Sequence, residues 1–207
     1  MKNPWEAIEL SDYENHMKQA SVMQLQCLND MMKSQFNLYP VKSVTILGVA
    51  GGNGLEHVDT NKIEKVYGVD INSKYLSKCA ERYKKFLGVF EFICIDLTDE
   101  NTALPYAEML IADLLIEYIG YECFKNTVLQ AKPIYVSCIV QVNTDEGFVS
   151  DSPYIHVFDD LDRVHHHIEE NGLTETMKGI GYILINKGEQ GLPNGKKLVR
   201  LDYKKIF

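Results

Sequence analysis

The first strongly apolar run, Ser43-Val44-Thr45-Ile46-Leu47, ends in a glycine cluster, Gly48-Val49-Ala50-Gly51-Gly52-Asn53-Gly54, and the next, Val66-Tyr67-Gly68-Val69, ends at Asp70. Glycines let a backbone turn sharply and come within contact distance of a ligand that any Cβ would push away. A carboxylate closing the next strand can accept from both hydroxyls of a ribose. The sixteen-residue step from Gly54 to Asp70 leaves room for one short helix between parallel strands. That is the layout of a nucleoside-binding α/β fold.

The rest of the chain continues the alternation. Strands are expected over 43–49, 65–70, 89–95, 109–112 and 134–140, and a short helix over 54–59. Asn72 or Ser73 caps a helix that carries Leu76, Cys79, Tyr83 and Leu87 on one face and closes at Gly88. A further helix is expected over 117–131 with Ile119, Cys123 and Val128 inward. The third and fourth strands end at carboxylates, Asp96 and Asp113. Strands alternating with helices imply a parallel sheet with right-handed crossovers.

Upstream, Met17, Ser21, Leu25, Leu28, Met32 and Phe36 fall at steps of three and four and predict one N-terminal helix of roughly 20 residues, ended by Pro40. Downstream, a helix over 161–170 precedes two segments, 180–187 and 197–206, joined by the turn-rich 188–195. They form a β-hairpin whose last strand runs antiparallel to its neighbour. The irregular stretch 141–159 is long for a compact domain and is a candidate binding loop.

A chain of 207 residues with 45% hydrophobic content supports one domain with a substantial core, 1–207, divided into an N-terminal cap over 1–40 and a core over 41–207. A net charge of −8 opposes nucleic acid or an anionic membrane as the main partner. Lys74, Lys78, Arg82, Lys84 and Lys85 are expected to be the solvated face of a helix. The five cysteines lack metal-ligand or C-x-x-C spacing and are expected as reduced core residues. Neither a leader peptide nor an apolar run of the ~18 residues that span a bilayer is visible, so a cytoplasmic protein is expected.

Taken together, the strand order, the glycines after the first strand, the carboxylates after the second and third and the closing hairpin resemble the class I S-adenosylmethionine (SAM)-dependent methyltransferases. The resemblance covers about 43–207 and implies a Rossmann-like α/β fold, with a seven-stranded, mostly parallel sheet, a C-terminal antiparallel hairpin strand and an N-terminal cap helix. It implies SAM as cofactor and a small-molecule methyl acceptor, with a homodimer compatible. The loop Gly48, Ala50, Gly51, Gly52, Asn53 and Gly54 resembles the family's first motif, and Asp70 with Ile71 its ribose-binding position. Asp96-Leu97 resembles the pair that holds the adenine, and Asp113-Leu114 the segment facing the methionine half and the acceptor. Gly48 stands where the family usually has an acid, Ala50 where it has glycine, and no Asn-Pro-Pro-Tyr follows the fourth strand.

Other nucleoside-binding patterns fit less well. No glycine falls in the third position of a dinucleotide fingerprint, and the Gly-Lys-Ser/Thr of a P-loop is absent. An aminopropyltransferase would carry an acid where Asn53 stands, and a non-catalytic SAM-binding protein is the alternative that Gly48 and Ala50 leave open.

Methyl transfer from a sulfonium is a direct displacement, so a protein contributes mainly alignment and desolvation, with a general base for oxygen or ammonium acceptors. Tyr13, His16, Asp113 and Glu117 are the candidate catalytic residues. Tyr13 and His16, three apart, share one side of a helix turn, and residues 1–37 are expected to complete the acceptor pocket as a lid. Glu117 equally suits a plain first-turn carboxylate, and His156 is a candidate from the long loop. His165, His166 and His167, about 100° apart on a helix, cannot hold one metal ion from that helix.

Overall fold

The computed structural model describes residues 3–86, 88–99, 102–143 and 147–206. Seven strands form one sheet: β1 (Ser43–Leu47), β2 (Lys65–Asp70), β3 (Phe90–Cys94), β4 (Met109–Asp113), β5 (Tyr135–Val142), β6 (Tyr182–Gly191) and β7 (Lys197–Lys205). Their order is β3-β2-β1-β4-β5-β7-β6, parallel except where β7 pairs antiparallel with β5 and β6. The central strands are buried on both faces: Val44, Leu47, Val66, Val69, Met109, Ile111 and Val136 are nearly or wholly inaccessible. Such near-continuous apolar runs are what a parallel sheet covered by helices requires.

The helices are α1 (Leu10–Met17), α2 (Gln24–Leu38), α3 (Ser73–Arg82), α4 (Ile116–Ala131) and α5 (Glu170–Gly179). Asn72 caps α3 as expected, accepting from the Lys74 and Tyr75 N–H groups. Leu87 lies outside the described residues. No helix among the described residues is long and apolar enough to cross a membrane.

Several boundaries depart from expectation. The single N-terminal helix is two, because the chain turns at 18–23 through Met23 at φ 56°. The turn buries Val22 completely and leaves Ser21, expected on the apolar stripe, exposed. In α4 the fully buried apolar residues are Ile116, Phe124 and Val128, whereas Ile119, packed against the same core, and Cys123 are only half-buried, Gly120 at φ 73°, ψ 169° rotating the first turn relative to the rest. The helix expected over 161–170 is a 3₁₀ segment, Ile155–Arg163, followed by irregular chain, and α5 begins only at Glu170. Leu173 and Met177, one helical turn apart and fully buried, anchor α5 in the core. Cys94 is exposed rather than buried. The basic face of α3 is paired with acids, Lys74 with Glu9 and Arg82 with Glu14, which ties α1 to α3.

Candidate active site

Strand order reverses between β1 and β4, which leaves a crevice at their C-terminal ends, where open α/β sheets receive ligands. A cavity of about 740 Å³, its mouth included, lies there. Its floor is built from successive strand ends: Gly48 and Ala50 after β1, Asp70 and Ile71 at β2, Asp96 and Leu97 after β3, and Asp113 and Leu114 at β4. Asn3, Trp5 and Tyr13 arrive from the N-terminal segment. Asn72 donates to the Trp5 carbonyl at 3.0 Å, which fixes that segment over the β2 end.

Asp70 is 9% exposed and already accepts from the Ala50 N–H at 2.9 Å and the Asn72 N–H at 2.8 Å. Each oxygen keeps a lone pair for a ligand. Burial raises its pKa and the backbone donors oppose that. Ala50 and Leu114 both hold positive φ, 47° and 52°, a conformation that costs non-glycine residues energy and clusters at functional sites. Both line this cavity.

The glycine loop divides in a way its pattern does not reveal. Gly51 and Asn53 face an adjoining recess of about 530 Å³ under α2. A Cβ on Gly51 would collide with the Glu14 carboxylate and the Arg82 guanidinium. Gly52 and Gly54 line neither space: a Cβ on Gly52 would lie 2.6 Å from Cys79 Sγ, and one on Gly54 2.7 Å from Met32 Sδ. Their φ values are 82° and 87°, so the turn and the packing of α3 and α2 require glycine there. The clearance expected for a ligand at Gly52 is taken up by the protein itself.

A second cavity of about 590 Å³, mouth included, adjoins the first, with Trp5, Tyr13, Leu114 and Tyr118 lining both. Glu117 sits in it at 6% exposure, with Oε1 accepting from the Gln141 N–H at 2.8 Å and Oε2 without a partner. Burial pushes its carboxyl up to about 7. Asp113, between the first cavity and the recess, accepts from Gln35 at 2.9 Å through Oδ1, and its Oδ2 is likewise buried without a partner. Burial holds it at about 7 as well. His16 lies 2.7 Å from the Ser152 hydroxyl through Nδ1, and burial, with Lys196 nearby, lowers it to about 4. It is therefore neutral at pH 7. Burial raises the Tyr13 phenol, which stays protonated.

The structure thus brings Tyr13, His16 and Glu117 together, and not His156, whose side chain is largely solvent-exposed beside Asp159. His165 takes part instead, stacked on Phe148 at 3.9 Å. Trp5, Phe148 and Phe158 carry no sequence signal of their own for this site, and His165, expected on a helix, stands here in irregular chain instead. The boundary of 141–159 as a long irregular stretch was the signal that could have found Phe148 and Phe158.

The lining of the first cavity fits a ligand like SAM. Among the described residues that form it there are three aspartates and no lysine or arginine, a set of acceptors suited to a cationic nucleoside without phosphates.

No protein-family model matches the chain, and no curated protein matches it. Solved structures do. The N-methyltransferase NodS from Bradyrhizobium japonicum WM9, in complex with S-adenosyl-L-homocysteine (SAH), superposes with TM-score 0.69 at 8% identity over 100% of both chains. Magnesium protoporphyrin IX methyltransferase from Synechocystis PCC 6803, with bound SAH, does so with TM-score 0.62 at 12% identity, over 89% of this chain and 83% of that one. The [4+2]-cyclase SpnF reaches 0.66 at 9% identity, over 90% and 84%. At these identities the likeness shows the fold, which is that of the class I SAM-dependent methyltransferases. A cyclase on the same fold shows that fold alone does not fix the reaction.

Proposed function

We propose that the protein is a SAM-dependent methyltransferase acting on a small-molecule acceptor. The observation that carries this reading is the first cavity, where the ends of β2, β3 and β4 deliver carboxylates to one crevice with no cation among its described lining residues. Asp70 would hold the ribose hydroxyls, Asp96 and the Leu97 N–H the adenine, and Gly48, Ala50, Asp113 and Leu114 the methionine half. When bound, SAM would supply an electrophilic methyl that the acceptor attacks directly, with the thioether SAH as leaving group.

The chain's own contribution is alignment, exclusion of water and proton removal. Glu117, held at about 7, is matched to take a proton near neutral pH, whereas His16, at about 4, is too weak a base. His16 and Tyr13 instead serve as neutral walls and hydrogen-bonding groups. A carboxyl kept buried with one oxygen unpartnered favours turnover over passive binding. The second cavity, about 590 Å³ with its mouth, and the net charge of −8 favour a small molecule over nucleic acid or membrane, with the reaction in the cytoplasm and a homodimer compatible.

Calorimetric titration with SAM, followed by mass-spectrometric detection of SAH across a broad acceptor panel, tests the reading. Saturable binding with SAH formed from some acceptors is expected. Binding without turnover on the whole panel would leave a binding protein, and absence of binding would remove the reading altogether.

A further inference from the structure

The second cavity combines a buried carboxyl with aromatic walls. Glu117 lines it with Oε2 buried and without a partner, and Trp5, Tyr118, Phe148 and Phe158 line the same space, with His165 stacked on Phe148. Aromatic faces attract ammonium groups through their quadrupole, and more strongly when water is excluded. A buried carboxylate, costly alone, is stabilised by the same charge. Among the described residues lining this cavity there is no lysine or arginine. Lys196, close enough to act on His16, is itself held by the carbonyls of Gly147 and Phe148.

We propose that the second cavity is the acceptor site for a small amine, bound as its ammonium against Glu117 Oε2 and the faces of Trp5, Tyr118 and Phe148. The ammonium transfers a proton to the Glu117 carboxylate and becomes a neutral amine with a free lone pair. That pair forms the new nitrogen–carbon bond as the methyl's carbon–sulfur bond breaks and its electrons pass to sulfur. The positive charge moves from sulfur to the methylated ammonium, and Glu117 returns its proton to solvent. Burial, which raises the Glu117 carboxyl to about 7, suits it to that exchange. His16 and His165, both lowered by burial, add no competing positive charge at neutral pH.

This inference rests on the methyltransferase reading for its chemistry, but the binding claim is tested apart from it. Calorimetry would compare matched probes of one shape, such as 2-phenylethylamine against 2-phenylethanol and 3-phenylpropionate and butylamine against butanol and butyrate, with SAH titrated separately. At least one amine is expected to bind tenfold or more tighter than its alcohol and acid. Glu117→Gln should erase that preference while SAH affinity stays within twofold. Amines no better than alcohols on a protein that binds SAH would overturn the proposal and spare the cofactor reading. An amine preference without SAH binding would do the reverse. Should Glu117→Gln fail to fold, the wild-type amine-to-alcohol ratio still decides, and Phe148→Leu should reduce it severalfold.

Discussion

The two cavities share a wall and are built by opposite means. The first is made from the ends of β1 to β4 and their backbone N–H groups, so its geometry follows from the sheet itself. The second is made from side chains of segments far apart in the chain: the N-terminal stretch from Trp5 to Gln24, the region from Leu114 to Tyr118 at the start of α4, and Gln141, Asn143 and residues between 148 and 165. Regular strands thus preorganise the one, while the other depends on how irregular chain packs, which is where families of one fold diverge in substrate.

The sharpest way to break that contrast is at the glycine loop. Gly52→Val would force a β-branched residue to φ 82° and into Cys79 and Tyr83. It should cost about 3–5 kcal/mol of stability, read as a large drop in melting temperature. A valine variant that melts like wild type but no longer binds SAH would mean that Gly52 clears space for the ligand after all. Asp70→Ala should weaken SAH binding by roughly 1.5–3 kcal/mol in a folded protein, the order for charge-assisted hydrogen bonds. An unchanged dissociation constant by calorimetry would take Asp70 out of the first cavity.

The second cavity is sharpened by pH. The Glu117 carboxyl, held at about 7 when folded, binds its proton more tightly than the unfolded chain, where an ordinary glutamate has a pKa of about 4.3. The stability this contributes is full below about pH 4 and is lost as pH rises towards 7. Glu117→Gln escapes that loss, so its melting temperature relative to wild type should climb between pH 4.5 and 8, by an amount equivalent to ~3 kcal/mol. His16 acts in the opposite direction, losing its contribution as pH falls from its ordinary 6.5 through about 4, but it is common to both proteins and cancels in the difference. A difference flat with pH would show that Glu117 is not held protonated by burial.

The same contrast explains what the sequence revealed. An apolar run ending in glycine or aspartate carries its own structural meaning, so the strand ends at Gly48, Asp70, Asp96 and Asp113 were legible. The hairpin was legible too, although its bulge between Leu184 and Asn186 and the extension of β6 to Gly191 were not. The packing around Gly52 and Gly54 was not legible, because their neighbours, Cys79 and Met32, are set by helix packing and not by local spacing. The stacking of Phe148 on His165 was not legible, because it depends on a 3₁₀ segment and the irregular chain after it, where sequence pattern points to a helix. The break before α2 was invisible because it relies on burying Val22 and on a left-handed Met23 rather than on glycine or proline.

Amide hydrogen exchange with and without SAH addresses both cavities at once. Binding in the strand-built crevice should slow exchange at 48–50, 70–72, 95–98 and 113–115, and at 5–13, where Trp5 and Tyr13 close over it. Exchange over 148–165 should hardly change, since none of those residues lines the first cavity. Protection confined to 148–165, or no protection at the ends of β1, β2, β3 and β4, would contradict the assignment of the crevice to SAM.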